Sequence, residues 1–281
     1  MKKRIVTQKM HREFRTHLLL QEKSVATVEK YCRDVKMFSE FAGDLQITKE
    51  ITISFKQQLI ERKYATRSIN SMLASLNSFF EFLEWDDCKV KNIKIQKQIY
   101  CEEEKELTKA EYMRLVSAAR RQHNERLNLI LQTICGTGIR VSELSYITVE
   151  AVKKGEAIVS CKAKTRRVFI VKELRKRLSH YAKERHIESG IIFVTANGKP
   201  MNRTNIWREM KSLCEEANVS AEKVFPHNLR HLFARTFYGI EKDIAKLADI
   251  LGHSSINTTR IYIITSGEEH RRKLENMRLI I

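Results

Sequence analysis

The chain has 281 residues, 42% of them hydrophobic, and carries 52 Lys and Arg against 34 Asp and Glu, a formal charge of +18. That length holds one large domain or two medium ones, and the apolar content excludes wholesale disorder. The charge favours a polyanionic partner, nucleic acid before membrane, and it is spread along the chain: residues 1–100 hold 19 basic and 12 acidic side chains, leaving +11 for the remainder.

No stretch approaches the roughly 20 apolar residues of a membrane span, and the N-terminal apolar run is too short for a signal peptide, so a cytoplasmic location is expected. Nine Gly and two Pro argue for long helices with few strand turns. The cysteines (Cys32, Cys88, Cys101, Cys135, Cys161, Cys214) include no C-x-x-C pair, so they read as reduced thiols rather than a zinc site or disulfide framework.

Residues 1–90 read as a helical unit. A helix over 12–21 would put Phe14, Leu18, Leu19 and Leu20 on an apolar face. The Ser24–Thr27 segment can cap a second, through Val28, Tyr31, Val35, Phe38 and Phe41, that Gly43 ends. A shorter helix follows at 53–60, then a long one at 66–85 with Ile69, Leu73, Leu76, Phe79, Phe80 and Leu83 inward. Four helices of this size can hold a bundle core, and aromatics at helical spacing read as core rather than as a base-stacking platform.

Residues 91–106 lack a steady period and read as a linker, with Lys91, Lys94 and Lys97 available for phosphates. The consecutive Glu102, Glu103 and Glu104 cannot converge on one ion, so no metal site is expected there.

A second domain, 107–281, opens where Thr108 and Glu111 form a capping box. Helices are expected at 109–121 and 124–135. In CGTGIRVSEL, Gly136 and Gly138 read as a helix break rather than a phosphate loop, because G-x-x-x-x-G-K-[ST] is absent. Arg140 and Glu143 would share a face of the helix that follows. Residues 155–171 form the clearest strand pair, a hairpin with Lys162, Lys164, Arg166 and Arg167 crowded at its turn, where they suit phosphate or minor-groove contacts. A helix at 172–185, a short strand at 191–194, a turn at Asn197 and Gly198, and a helix at 204–217 complete this part.

The last stretch, 226–262, carries the densest chemistry. Pro226 suits the first position of a helix on which His227 and Arg230, at i and i+3, share a face. Gly252 stops the apolar run of Ile244, Leu247, Ala248 and Leu251. His253 would sit on the next turn, Ser254 or Ser255 would cap a short helix, and Tyr262 would lie near its end. These residue types suit attack on a phosphodiester. Arginine forks neutralise the non-bridging oxygens as charge builds. A phenol ordinarily holds its proton to about pH 10, so a tyrosine nucleophile needs cations or a base nearby. Imidazoles such as His227 can handle that proton, and His253 can bond the phosphate. A hairpin lysine can protonate the departing 5′ oxygen.

Taken together, TGIRVSEL, HNLRHLFA, LGHSS and TTRIY resemble the motif set of the tyrosine recombinases, the phage-integrase family, over nearly the whole chain. The resemblance implies a mostly α fold with a small antiparallel β component: a helical, SAM-like core-binding domain at 1–90 and an α/β catalytic domain of the DNA breaking-rejoining type at 107–281, together clamping duplex DNA. It implies Arg140, Lys162, His227, Arg230, His253 and Tyr262 as catalytic residues, with Glu143 in support and Lys164 the fallback for the lysine. Lys164, Arg166, Arg167, Lys91 and Lys94 are expected to contact DNA. The implied reaction needs no cofactor: Tyr262 forms a 3′-phosphotyrosyl link and frees a 5′-OH, and a partner strand's hydroxyl reverses the step. Implied partners are DNA with paired inverted repeats and other copies of the chain, four protomers exchanging strands through a Holliday junction, as in integration, excision or resolution of a mobile element. The tail, 263–281, would form a helix docked on a neighbour or packed on its own domain. A type IB topoisomerase-like nicking enzyme and a DNA-binding relative without catalysis are the alternatives. The LGHSS…TTRIY pattern argues against the first, and the full set of catalytic residue types against the second.

Overall fold

Side-chain caps begin most of the N-terminal helices. Thr7, Ser24 and Thr48 each accept a bond from the backbone N–H three residues on, and so start α1 (Gln8–Leu20), α2 (Val25–Ala42) and α3 (Lys49–Glu61). The fourth, α4 (Thr66–Phe82), starts without one. The computed structural model describes residues 4–94, 105–161, 164–262 and 275–276, with the side chains of Cys161 and Lys164 excepted. It divides into two compact units, Met1–Lys97 and Gln98–Ile281.

In the first unit the apolar stripes of α1–α4 meet in one core, with Phe14, Leu18, Val35, Phe38, Phe55, Leu73, Phe79 and Phe80 fully buried. Phe38 stands edge-on to Phe55 and Phe80, at 5.3 and 5.6 Å between centroids, a geometry worth about 0.5–1.5 kcal/mol per pair beyond simple burial. Leu19 and Leu20 do not join: they are 49% and 79% exposed. Successive residues turn about 100° around a helix, so the three consecutive leucines cannot share Phe14's face. Asn77 bonds the N–H and carbonyl of Val90, and Asn70 those of Ile93. The first residues of the expected linker are thereby fastened to α4.

The second unit is built on α5 (Lys109–Arg121), whose Thr108–Glu111 capping box forms as expected, and α6 (Glu125–Thr137), capped by Asn124. After α7 (Val149–Lys154), strands β1 (Glu156–Cys161) and β2 (Lys164–Phe169) pair antiparallel from Glu156↔Phe169 to Cys161↔Lys164. Ala157, Val159, Val168 and Ile170 face the core, while Ile158 and Phe169 face out. The remaining helices are α8 (Lys172–Glu184), α9 (Arg203–Lys211), α10 (Cys214–Ala217), α11 (Pro226–Glu241), α12 (Ile244–Leu251) and α13 (Ile256–Arg260).

Several local expectations differ from the structure. Gly136 lies inside α6, and Gly138 alone ends it, in the left-handed region at φ +66°. The helix expected after Arg140 is present, in the 3₁₀ form, at Val141–Tyr146. Residues 191–194 make only the isolated bridges Thr148↔Ile191 and Val194↔Pro200, and the helix expected over 204–217 splits into α9 and α10. Lys97, Glu102–104, Cys101, Lys162 and most of the tail lie outside the described residues. Cys32, Cys88, Cys135 and Cys214 are free thiols.

Candidate active site

Three helix ends build the site. Arg140 sits where α6 hands over to the 3₁₀ helix, His227 and Arg230 on the first turns of α11, and His253 just past α12. Pro226 opens α11 at its first position, where a missing N–H costs nothing. Glycines let two of these ends close. Gly138 caps α6 at φ +66°, and a Cβ there would come within 2.5 Å of Phe233. Gly252 caps α12 at the same φ, and its Cβ would collide with Arg166.

Among the described residues of the unit, Arg230 is the largest fully buried side chain, at 2% exposure. Its Nη1 donates to the carbonyl of Gly138, and its Nη2 to the carbonyl of Leu251 at 2.7 Å and to His253 Nε2 at 3.1 Å. Burial and the nearby Arg140 lower its pKa to about 10, with Tyr262 acting in the opposite direction, so it stays charged at neutral pH. His253 Nδ1 faces Thr259 Oγ1 at 2.9 Å. Burial, then Arg230, Arg140 and Arg166, push His253 down to about 4. His227 opens to solvent at the rim. Partial desolvation, then Arg230, Arg140 and Arg203, lower it too.

Tyr262 lies two residues beyond α13, 5% exposed, in an apolar cluster with Ala234, Leu247 and Leu251. Its ring centroid is 5.4 Å from that of His253 and 5.6 Å from that of His227. A third imidazole, which the motif reading passed over, is nearer: His231, at 4.3 Å from Tyr262 and 4.8 Å from His227. Its Nδ1 is buried without a partner, and burial, then His227, Arg235 and Arg230, push it down to about 3. The signal that could have found it is its i+4 spacing from His227 on one helix.

Arg140 is held by Glu143, whose Oε1 accepts Arg140 Nη1 at 2.8 Å and whose Oε2 accepts Arg140 N–H at 2.9 Å. Burial pushes the Glu143 carboxyl up, but the bonds from Arg140 and the charge of Arg166 outweigh it and hold it below the usual range. Arg166, expected at the DNA face, instead donates Nη2 to Glu143 Oε2 at 2.5 Å. Arg167 is 69% exposed, 3.8 Å from Glu156, and Lys91 and Lys94 are exposed in the first unit. Lys162 lies outside the described residues, and Lys164 is placed only as the first residue of β2.

The arrangement brings two guanidinium groups, three imidazoles and a phenol together, cations that can hold an anion beside a tyrosine hydroxyl. Residues 105–269 match the model of the phage integrase family, and residues 12–87 that of the phage integrase N-terminal SAM-like domain. The chain belongs to the phage integrase family. Its enzyme class is that of the tyrosine recombinases, and its activity is site-specific DNA recombination. It is 31% identical over 277 residues to the tyrosine recombinase XerA of Thermococcus kodakarensis, covering 95% of each chain. Among solved structures it resembles a XerA recombinase, at 24% identity and a TM-score of 0.55 over 98% of this chain and 100% of that one. It also resembles a lambda integrase dimer bound to a core site, at 17% identity and a TM-score of 0.74 over 91% of this chain and 94% of that one.

Proposed function

We propose that this recombinase cuts duplex DNA with Tyr262 and holds the scissile phosphate with Arg140 and Arg230, the latter guanidinium being oriented by His253. The observation that carries the reading is the bond from Arg230 to His253 at 3.1 Å, with the phenol of Tyr262 against the same imidazole. Attack by Tyr262 Oη on phosphorus makes a 3′-phosphotyrosyl bond and breaks the bond to the 5′ oxygen. The phenol proton passes to His227, and a hairpin lysine, Lys162 with Lys164 as fallback, protonates the departing oxygen. The 5′-hydroxyl of a partner strand then displaces Tyr262. The phosphoester energy is conserved throughout, so strand exchange needs no cofactor.

The bound DNA carries paired inverted repeats, and four protomers exchange strands through a Holliday junction, serving integration, excision or resolution of an element. Exposed Arg167, Lys91 and Lys94, together with Lys164, supply phosphate contacts. What supports this finer reading is the family's site chemistry and the chain's +18 charge. The test is a nicked suicide duplex built from the inverted repeats flanking the gene. A covalent protein–DNA adduct at one phosphate is the expected result. Relaxation of supercoiled DNA without strand exchange between paired sites would replace this reading with a nicking-closing one.

A further inference from the structure

Arg166 stands among the hairpin cations, yet its side chain is only 12% exposed. Its guanidinium is divided between acceptors from two different parts of the unit. Nη2 donates to Glu143 Oε2 at 2.5 Å, and Nη1 to the carbonyl of Ile250, in the last turn of α12, at 2.9 Å. Its aliphatic stem lies over Gly252, immediately before His253, in space that any Cβ at Gly252 would occupy. The second oxygen of Glu143 holds Arg140 Nη1. One side chain therefore touches both the support of Arg140 and the helix end that presents His253.

We infer that Arg166 is a positioning residue that locks β2 to Glu143 and to the C-terminal turn of α12, setting Arg140 and His253 in register with the hairpin. The inference rests on the function proposed above. A planar fork can serve two acceptors in different directions at once, whereas a lysine ammonium is a point donor on a flexible stem. Glu143 is 4% exposed, so a lost partner there is poorly replaced by water. A phosphate-contacting arginine would behave differently: its loss weakens DNA binding across sequences and lowers the salt slope by about one.

The experiment uses the full chain with Arg166→Gln, Glu143→Gln and the double variant. Each is compared with the wild type by single-turnover cleavage of the suicide duplex at saturating protein. Affinity for an arbitrary 30-base-pair duplex is measured between about 50 and 200 mM salt. Each single variant is expected to cleave at least about tenfold more slowly with unchanged affinity and salt slope. The double variant should be no slower than the slower single one, because both break one bridge. If Arg166→Gln does not fold, Glu143→Gln reads the same bridge from its other end. Cleavage at the wild-type rate in Glu143→Gln, or a salt slope lowered by about one in Arg166→Gln, overturns the inference. A wild type that forms no adduct overturns instead the proposed function, and with it the reaction Arg166 would serve.

Discussion

Arg230 donates Nη2–H to His253 Nε2 over 3.1 Å, and that bond fixes which imidazole nitrogen carries the proton. A guanidinium has no lone pair to offer, so Nε2 accepts and Nδ1 keeps its hydrogen, which it donates to Thr259 Oγ1 at 2.9 Å. Thr259 is fully buried and was not singled out by the motif. Thr259→Val should leave the fold intact yet slow cleavage about tenfold by freeing the ring to turn, with DNA affinity unchanged. Single-turnover cleavage rates of the two proteins check this.

The same rings make stability depend on pH. His231 is pushed down to about 3 and His253 to about 4, while in the unfolded chain each titrates near 6.5. As pH falls the unfolded chain takes up protons first. The stability contributed by the neutral rings is therefore complete above about pH 6.5 and is lost progressively towards pH 4. The loss is on the order of 1–3 kcal/mol per ring. Urea denaturation from pH 7 to 4.5 should show a declining midpoint, with a flatter decline in His231→Asn.

Gly138 has a two-sided constraint. Its φ of +66° disfavours any side chain, and an added Cβ would press on Phe233 at 2.5 Å and Leu251 at 3.1 Å. Gly138→Ala should cost about 2 kcal/mol or more and, by moving a carbonyl that holds Arg230, should also slow cleavage. Equilibrium unfolding and cleavage measured on the same preparation read both effects.

In the N-terminal unit, Asp34 is 2% exposed and accepts from Lys30 Nζ at 2.5 Å and Ser75 Oγ at 2.8 Å. Asp34→Ala removes the acceptor from both and should destabilise the chain by about 2–3 kcal/mol. Ser75→Ala keeps the ion pair and should cost about 1 kcal/mol. Denaturant midpoints of the two variants give the comparison.

Much of the site was legible because motif residues sit where helices begin and end. Pro226, Gly252 and Ser255 mark those ends in the sequence: Pro226 opens α11, Gly252 caps the end of α12 and Ser255 caps the start of α13. Side-chain direction was less legible. Arg166 reads as a surface cation because its neighbours on the hairpin are basic, and only the folded chain shows Glu143 and Ile250 converging on it from elsewhere. His231 was hidden behind the H-x-x-R spacing that ends one residue before it. Leu19 and Leu20 looked like core because composition was clear where phase was not. The spacing of Arg140 and Glu143, three residues apart, suits an α- and a 3₁₀ helix alike, so the sequence indicates a helix there but not that it is the tighter 3₁₀ form.

The central claim is that Tyr262 is the nucleophile. Its measurement is covalent trapping on the suicide duplex, with wild type and Tyr262→Phe run side by side at matched DNA occupancy. The phenyl ring can fill the same cluster of Ala234, Leu247 and Leu251, so the variant should fold and bind DNA as the wild type does. The wild type should yield an adduct whose digested peptide carries the nucleotide on Tyr262, and the variant should yield none. An adduct that survives in Tyr262→Phe would contradict the account.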